Sequence, residues 1–449
     1  MKLTHRAAVG HGRQGAGLRR NLVFGLIAGL ALSACAPRET ILPGERLAIR
    51  PGLEEPVNRA APIRLSRQVN HASWSQRAGN ARHAIQHPAL GPAPELLWSA
   101  PIGQGNDRRH RITADPVAAD GRIFTLDSRA QVSAVSTSGA PLWSRDLTPA
   151  SDNPDDASGG GLAVVGGRLY VTTGFGDLLV LDAADGAVIW RQRLDAPAAG
   201  APTVADGMVY VTTRDSRGLA IRADDGRVAW QLSGAPSVSG VVGGAAPAVG
   251  TPYVIFPYSS AQIVAAFPKG GLQVWKASVA GSRPGRAYAQ LKDVTGDPVV
   301  RGAVVYAANP SGRTVAVSMR DGELIWSARE GATGPVWVDG GSVFLVSDEA
   351  ELVRLDARDG TRVWAVALPD FVPVRNARRK RDVYAHFGPV LAGGRLWVAS
   401  GDGRLRGFDP VDGSLDHVTD LPGGASTRPI VVDGVLYLVS ADGQLQAFR

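Results

Sequence analysis

Cys35 is the residue whose neighbours point most directly to a defined chemistry. It is the only cysteine of the chain, and Leu32-Ser33-Ala34 precedes it. A basic segment and the apolar run Leu22 to Leu32 come earlier, as in signal peptides that end at an acylated cysteine. We therefore predict a signal peptide over residues 1–34 and a lipidated Cys35 as the mature N-terminus. A cleaved signal with an incidental cysteine is the alternative.

Two groups of side chains are candidate metal ligands. One consists of four histidines in the N-terminal third: His71, His83, His87 and His110. Their spacing matches no zinc pattern, so we interpret them as solvated or capping residues. The other is the acidic stretch DNPDDASGGG at 152–161, which lacks the twelve-residue calcium loop with its terminal glutamate. The sequence predicts no metal site.

A cluster of five basic side chains lies further along the chain, at Arg375, Arg378, Arg379, Lys380 and Arg381. One interpretation is a solvated surface, and the other is a patch for an acidic partner or anionic lipid head groups. The formal net charge of +7 falls to +2 without residues 1–34, which hold five basic and no acidic side chains. With so little net charge and no nucleic-acid-binding fingerprint, we exclude nucleic acid as a partner.

The elements that would position these side chains are short strands in a repeating order. In LDAADGAVIW, at 181–190, an apolar strand meets an Asp-Gly turn and a returning strand, which is the pattern of a hairpin. A tryptophan follows the turn glycine by four residues again and again, in Gly139/Trp143, Gly186/Trp190, Gly226/Trp230, Gly271/Trp275, Gly322/Trp326 and Gly360/Trp364. A further copy, Gly413/His417, has histidine in that place. We expect the tryptophans to pack between repeats.

Repeats of this size with four short strands each predict an all-β fold, an eight-bladed β-propeller of four-stranded antiparallel blades. The last repeat reaches the C-terminus without its fourth strand, so we expect Glu95–Trp98 to complete it and close the ring. The predicted organisation is a signal peptide over 1–34, an acylated tether and N-terminal arm over 35–94, and the propeller over 95–449. Within the arm, 36–66 has the composition of a flexible tether, whereas 71–87 has a more ordered pattern with Trp74 as its anchor.

The unit LDAADGAVIW resembles the pyrroloquinoline-quinone-type propeller repeat, and the stretch Trp74 to His83 is similar to the start of such proteins. With Cys35, the chain resembles the propeller lipoproteins of the outer-membrane β-barrel assembly (BAM) machinery. Ala36, rather than aspartate, follows the cysteine, which favours the outer membrane under the Gram-negative sorting rule. The resemblance implies a periplasm-facing, lipid-anchored scaffold that assists folding and insertion of β-barrel proteins. Its implied partners are the POTRA domains of the barrel-forming subunit, the other BAM lipoproteins and unfolded outer-membrane protein strands.

The resemblance also implies a binding surface made by two loops. The first loop matches Val241 and Val242, and an arginine of the family corresponds to Val242 here. The second loop matches Leu291, Asp293 and Thr295, where threonine replaces a second aspartate. Corresponding loops of neighbouring blades emerge on one face, so we expect one patch with an apolar centre and a charged rim. The alternative is that the two valines are buried packing residues.

Quinoprotein dehydrogenases share this repeat and provide the enzymatic alternative. They resemble each other in an adjacent cysteine pair, a calcium-binding Glu/Asn set and a catalytic aspartate. A cysteine pair cannot exist in a chain with a single cysteine. The aspartates here recur in hairpin turns, where they are structural by default. We therefore expect no catalytic activity and no cofactor, with a quinone-dependent dehydrogenase and a ligand-binding periplasmic lipoprotein as the alternatives.

Overall fold

The strands of the protein form eight separate four-stranded sheets. The computed structural model describes residues 57–237, 243–283, 292–373 and 382–449. Neighbouring strands pair antiparallel in each sheet, which confirms the predicted eight-bladed propeller. The only helix in these ranges is the single turn Arg77–Gly79. No helix in the same ranges is long and apolar enough to cross a membrane.

The strands of the first four blades are given in order from the central channel outward. Blade 1 contains β2 (Val117–Ala119), β3 (Arg122–Leu126), β4 (Gln131–Ser136) and β5 (Pro141–Asp146); blade 2 contains β6 (Gly160–Val165), β7 (Arg168–Thr173), β8 (Asp177–Asp182) and β9 (Val188–Arg193); blade 3 contains β10 (Thr203–Ala205), β11 (Met208–Thr212), β12 (Arg217–Arg222) and β13 (Val228–Ser233); blade 4 contains β14 (Ala248–Val249), β15 (Val254–Tyr258), β16 (Gln262–Ala266) and β17 (Gln273–Ser278).

The remaining blades continue in the same way until the last one. Blade 5 contains β18 (Val299–Arg301), β19 (Val304–Asn309), β20 (Arg313–Ser318) and β21 (Leu324–Ala328); blade 6 contains β22 (Trp337–Asp339), β23 (Ser342–Val346), β24 (Glu351–Asp356) and β25 (Arg362–Ala367); blade 7 contains β26 (His386–Ala392), β27 (Arg395–Ser400), β28 (Arg404–Phe408) and β29 (Leu415–Asp420); blade 8 contains β30 (Ile430–Val432), β31 (Val435–Val439), β32 (Gln444–Phe448) and β1 (Leu96–Pro101).

The predicted hairpins form because their turn residues satisfy the backbone locally. In blade 2 the Asp182 carboxylate accepts from the amide of Ala184 and the Asp185 carboxylate from that of Ala187, both at 2.8 Å. Gly186 has φ of 74°, a left-handed conformation that costs glycine little. Turns of this kind, together with the turns between first and second strands, make up what we call the lower face. The upper face carries the turns between second and third strands and the connections between blades.

Each hairpin tryptophan packs on the turn of the next blade. The Trp190 indole donates to the carbonyl of Ala223 at 3.2 Å, and it lies over Gly226, where a Cβ atom would be 2.7 Å from the ring. Full burial, as at Trp364 with 0% exposure, is worth about 4–6 kcal/mol, since a tryptophan hides roughly 150–250 Å². The expected packing between repeats is therefore confirmed, and it explains why glycine and tryptophan recur together.

The N-terminal strand closes the ring, as the sequence predicts, although it extends beyond the expected Glu95–Trp98. β1 pairs with β32, so that Leu96 faces Phe448 and Ala100 faces Leu445. Trp98 lies over Gly139 of blade 1, where a Cβ atom would be 2.9 Å from its ring. The last blade thereby makes the same contact to the first blade as every other tryptophan makes to its neighbour.

Ring closure also accounts for the histidine in the seventh repeat. His417 belongs to blade 7 and faces blade 8, whose outer strand β1 comes from the other end of the chain. Blade 8 therefore has no turn between its third and fourth strands, and no turn glycine for an indole to cover. His417 instead lies 2.8 Å from the Thr419 hydroxyl, which donates to the carbonyl of Pro94. The histidine in place of tryptophan therefore lies where the two ends of the chain meet and close the ring.

Residues 57–94, called the arm below, lie against the propeller. Arg59 donates its amide to the carbonyl of Val363 at 3.1 Å, and the Ser66 hydroxyl donates to the Asp339 carboxylate at 2.8 Å. The prediction of a flexible tether over 36–66 is therefore wrong for residues 57–66, because strand edges and turns of blades 6 and 7 hold them. The expected anchor Trp74 is confirmed, with 2% exposure.

Candidate functional site

The arm crosses the channel and hydrogen-bonds the inner strands of five consecutive blades. The partners from blade 1 to blade 5 are Trp74 with Ala118, Ser75 with Val164, Gln76 with Val204, Ala81 with Val249 and Arg82 with Val300. The side-chain amide of Gln76 makes the two hydrogen bonds that a neighbouring strand would make. It donates to the Val204 carbonyl at 2.9 Å and accepts from the Val204 backbone amide at 2.8 Å. A buried backbone group without a partner costs about 1–3 kcal/mol. The arm therefore satisfies strand edges that would otherwise face an open channel.

Arg77 lies at the centre of a buried group of charges, called the channel cluster below. Its Nε is 3.1 Å from an Asp297 oxygen and 3.5 Å from an Asp115 oxygen, and its Nη1 donates to the Gly244 carbonyl at 2.7 Å. Arg428 completes the cluster, 2.8 Å from Asp115. Asp115 precedes blade 1 and Asp297 precedes blade 5, which are opposite each other in a ring of eight. A cluster that joins them lies across the axis of the ring.

The channel cluster contains two guanidinium groups and two carboxylates, so its formal charges balance. Backbone amides support both carboxylates, since Asp297 accepts from the amide of Ala246 at 2.6 Å and Asp115 from that of Arg428 at 2.9 Å. Burial lowers the pKa of Arg428, and the neighbouring Asp115 opposes that effect. An ion pair of this kind is costly to bury but far costlier to break. The cluster therefore holds the arm in the ring.

Three of the four candidate histidines are buried, and all four bond to backbone groups. The Nδ1 atom of His83 lies 2.8 Å from the carbonyl oxygen of Pro298, and that of His87 lies 2.9 Å from the one of Ser66. His110 contacts the carbonyl of Asp155, and His71 that of Gln86. The interpretation as capping residues is confirmed, whereas solvation is wrong for His83, His87 and His110. No group of three or more His, Cys, Asp or Glu side chains in the described ranges is placed to hold a metal ion.

The expected two-loop patch is described only in part. Val241, Val242 and Leu291 lie outside the described residues. Asp293 and Thr295, expected on an exposed rim, are 4% and 7% exposed.

Their burial has a local cause. The Thr295 hydroxyl donates to the carbonyl of Ala332, and the carbonyl of Asp293 accepts from the Asn309 amide at 3.0 Å. Asp293 also acts on Arg214 of blade 3, where it opposes the fall in pKa that burial causes. These two side chains therefore pack inside the propeller, and the binding role of the loop stays a prediction.

Two further predicted sites also fall outside the described residues. One is the acylation site Cys35. The other is the basic cluster Arg375, Arg378, Arg379, Lys380 and Arg381. The described chain on either side of that cluster forms a short ladder, since Phe371 bridges Val383 and Val372 donates to the carbonyl of Asp382 at 2.9 Å. The lipid and partner-binding roles of these residues stay predictions.

Sequence reasoning missed the channel cluster, although the repeats contain a signal for it. Asp115, Asp297 and Arg428 each precede the proline or apolar residue that opens an inner strand, a place where other blades have alanine or glycine, as in Ala201-Pro202 and Ala246-Pro247. Charged side chains at that repeat position would face the channel together. Aligning the repeats by this position, rather than by the tryptophan, predicts a group of charged side chains in the channel. It also predicts that a side chain of opposite charge neutralises them.

Comparison with known proteins agrees with this geometry. The family model described as "Outer membrane protein assembly factor BamB" matches residues 128–366 and 375–449. A relative with the same name from Xanthomonas campestris is 30% identical over 366 residues, which cover 79% of this chain and 86% of that protein.

Solved structures share the fold at lower identity. The crystal structure of BamB from Moraxella catarrhalis has a TM-score of 0.66 and 20% identity, and the match covers 80% of this chain and 100% of that chain. Quinohemoprotein alcohol dehydrogenase from Comamonas testosteroni follows with a TM-score of 0.64 and 16% identity, over 84% of this chain and 80% of that chain. The dehydrogenase shares only the fold with this chain, whereas the BamB family model matches the sequence of most of the propeller. The chain therefore belongs to the BamB family of outer membrane protein assembly factors, a non-catalytic branch of the PQQ-like propellers.

Proposed function

We propose that this chain is a scaffold lipoprotein of the outer-membrane protein assembly machinery. Acylated Cys35 holds it on the periplasmic side of the outer membrane, where it binds the POTRA domains of the barrel-forming subunit and works beside the other BAM lipoproteins. Membership of the BamB family supports a role in outer-membrane protein assembly. The closed channel supports action as a scaffold. A ring whose axis is occupied by its own arm and channel cluster offers its faces and rim, rather than a cavity, to other molecules.

The upper face is the proposed site for the POTRA domains. The connections between blades 3 and 4 and between blades 4 and 5 carry Val241, Val242 and Leu291, which supply an apolar centre. The buried contacts of Asp293 and Thr295 hold the second connection in place. Interfaces concentrate their binding energy in a few apolar side chains at such a centre.

Co-purification from solubilised outer membrane tests the proposal. We expect the double substitution of Val241 and Val242 by aspartate, and separately Leu291→Asp, to abolish capture of the barrel-forming subunit with an unchanged melting temperature. Val188→Asp is the matched control, because Val188 is 45% exposed on the outer strand of blade 2. Stable variants that still capture the subunit at the wild-type level would contradict this site, and charge reversal at Arg378 and Arg379 then tests the basic cluster.

The outer rim is the proposed site for unfolded outer-membrane protein strands. Arm residue Asn58 already uses such an edge, since its side chain donates to the carbonyl of Ala365 at 2.8 Å and accepts from its amide at 3.0 Å. Arg59 adds a backbone bond to Val363 on the same strand, β25. An extended client strand pairs with an outer strand in the same way. Photocrosslinkers at the exposed Val188 and Ile189 should capture client peptides, while one at the covered Val363 should not.

A further inference from the structure

Blade 4 differs from the other blades on the lower face. Where blades 2, 3, 5, 6 and 7 have aspartate in the turn between third and fourth strands, blade 4 has the sequence Phe267-Pro268-Lys269-Gly270-Gly271-Leu272. Its turn between first and second strands is also unusual, with Thr251-Pro252 in place of the short Asp-Gly, Gly-Gly or Arg-Gly turns of the other blades. Two polar turns are thereby replaced by apolar ones on a single blade.

The apolar residues of these turns form one exposed patch. Leu272 is 69% exposed, and Phe267 and Val274 are each 39% exposed. The Phe267 ring packs edge-on against Tyr253 with their centroids 5.1 Å apart, so the two turns are in contact. We call Pro252, Phe267, Leu272 and Val274 the blade 4 patch.

The blade 4 patch is held in shape before anything binds it. Phe267 donates its amide to the carbonyl of Leu272 at 3.0 Å, and Gly271 donates to the carbonyl of Phe267 at 3.2 Å. Gly271 lies against the indole of Trp230, where a Cβ atom would be only 2.4 Å away. A patch fixed in this way loses little conformational entropy on binding.

The charges beside the patch favour an anionic surface. Lys269 lies in the turn and Lys276 on the following strand, both exposed, and neither forms an ion pair within the described ranges. The cations of comparable turns are neutralised locally, since Arg222 pairs with Asp225, Arg320 with Asp321 and Arg358 with Asp356. Among these four blades, only blade 4 has a lysine beside exposed phenylalanine and leucine, and only its turn lacks a carboxylate.

The arm leaves the propeller from the same face. Ala61 donates to the carbonyl of Val411 in the lower-face turn of blade 7, and Ile63 lies against Gly340 in that of blade 6. Val57, where the described chain begins, is 87% exposed. About 20 residues join it to the predicted lipid anchor at Cys35, a length that spans at most about 70 Å.

We propose that the blade 4 patch docks on an anionic phospholipid bilayer. Phe267 and Leu272 enter the head-group region, while Lys269 pairs with lipid phosphate, the division of roles seen in interfacial membrane contacts. This goes beyond the scaffold function, because it gives the ring itself a membrane contact in addition to the acyl chain. Tethering raises the local concentration of the bilayer, so a weak contact is sufficient.

Lysine footprinting of the full acylated chain on vesicles tests the proposal. An amine-reactive reagent labels Lys269 on the lower face and Lys292, which is exposed on the upper face and serves as the internal control. On vesicles containing phosphatidylglycerol we expect labelling of Lys269 relative to Lys292 to fall at least about threefold compared with phosphatidylcholine vesicles. Leu272→Asp should restore the labelling. The matched control Val383→Asp, at a residue that is 59% exposed on the upper face, should not.

Two results would overturn the proposal. One is a Lys269 to Lys292 labelling ratio that is equal on the two kinds of vesicle. The other is protection of Lys269 that occurs in native outer membranes but is absent on protein-free anionic vesicles, since the patch then binds a protein. Leu272 is largely exposed, so its variant keeps the fold, and circular dichroism on the same samples verifies this.

Discussion

At the scale of single residues, Arg77 decides whether the channel remains closed. Its guanidinium lies between carboxylates that enter from opposite sides of the ring, and Arg428 alone cannot balance both charges. Removing one member of a buried ion network leaves an uncompensated charge in a poorly hydrated place. Stability of the propeller and position of the arm therefore depend on the same side chain.

Substitution of Arg77 should be severely destabilising. We expect Arg77→Met to cost about 3–5 kcal/mol of unfolding free energy, because it leaves two buried carboxylates with one cation. Arg77→Lys should lose less, since it keeps the charge but not the forked geometry. Urea denaturation measures both. The control Arg222→Met breaks an exposed pair and should leave the midpoint unchanged; a similar loss in both variants would contradict the role of burial.

His83 should make stability depend on pH in mildly acidic solution. Burial lowers the pKa of His83 below the ordinary 6.5, against the attraction of Asp297. The unfolded chain then binds a proton at a pH where the folded chain does not, so this residue reduces stability as the pH falls below about 7. Arg77 and Arg428 act in the same direction as burial.

The test compares His83→Asn with the parent chain between about pH 7.5 and 5, since asparagine tolerates the left-handed backbone at this position. We expect the variant to lose less stability on acidification. His110 affects the pH dependence of stability in the opposite direction, because its bond to Asp107 raises its pKa. The informative quantity is therefore the difference in unfolding free energy between the variant and the parent chain at each pH. Parallel stability curves would contradict this, because they would mean that His83 has the same pKa in the folded and the unfolded chain.

At the scale of elements, the hairpin is the unit that joins one blade to the next. A tryptophan stabilises the ring only where the next blade offers a turn glycine beneath it. Trp364 has such a partner in Gly413, whereas His417 faces the junction and has none. The value of an aromatic side chain thus depends on the element opposite, although the two hairpins are alike in sequence.

Reciprocal substitutions should show this difference. Trp364→His should destabilise the propeller by about 3 kcal/mol or more, because it empties a fully buried site. His417→Trp should change stability by less than about 0.5 kcal/mol, as expected for a change away from buried features. Thermal denaturation measures both. A clear gain from His417→Trp would mean that the junction does contain an indole site.

The same contrast explains what the sequence could reveal. The blades, their number and their closure are readable because glycine and tryptophan are four residues apart within one hairpin, and each pair reports a local turn. The channel cluster is not readable in this way, since Arg77, Asp115 and Asp297 meet only when the ring is assembled. Burial of Asp293 was missed for a related reason, because Arg214 belongs to another blade.

At the scale of the whole molecule, arm and ring form one structure. Residues 57–94 touch inner strands, lower-face turns and the outer edge of blade 6, and then continue directly into β1. The arm therefore contributes to stability in two separable ways. It fills the channel, and it positions the strand that completes blade 8.

Truncations should separate these contributions. Deleting residues 36–56 should leave the melting temperature nearly unchanged, since every contact described for the arm at 57–94 remains. Deletion of 36–92 should lower it by removing Arg77 and the strand contacts, yet leave a cooperative transition. Extending the deletion through Pro101 should abolish that cooperativity, because β32 becomes an open edge. Calorimetry distinguishes the three, and equal melting temperatures for the last two would contradict closure by β1.

The pairing of β1 with β32 also has a kinetic consequence. Leu96 is made early in synthesis, but its partner Phe448 lies one residue from the C-terminus. Contacts so distant along the chain form slowly. Until they form, two unpaired edges and the ring of Trp98 are accessible to other chains, which favours aggregation. A protein with this closure needs protection until its two terminal strands have paired, and a chain that ends a few residues early remains an open ring.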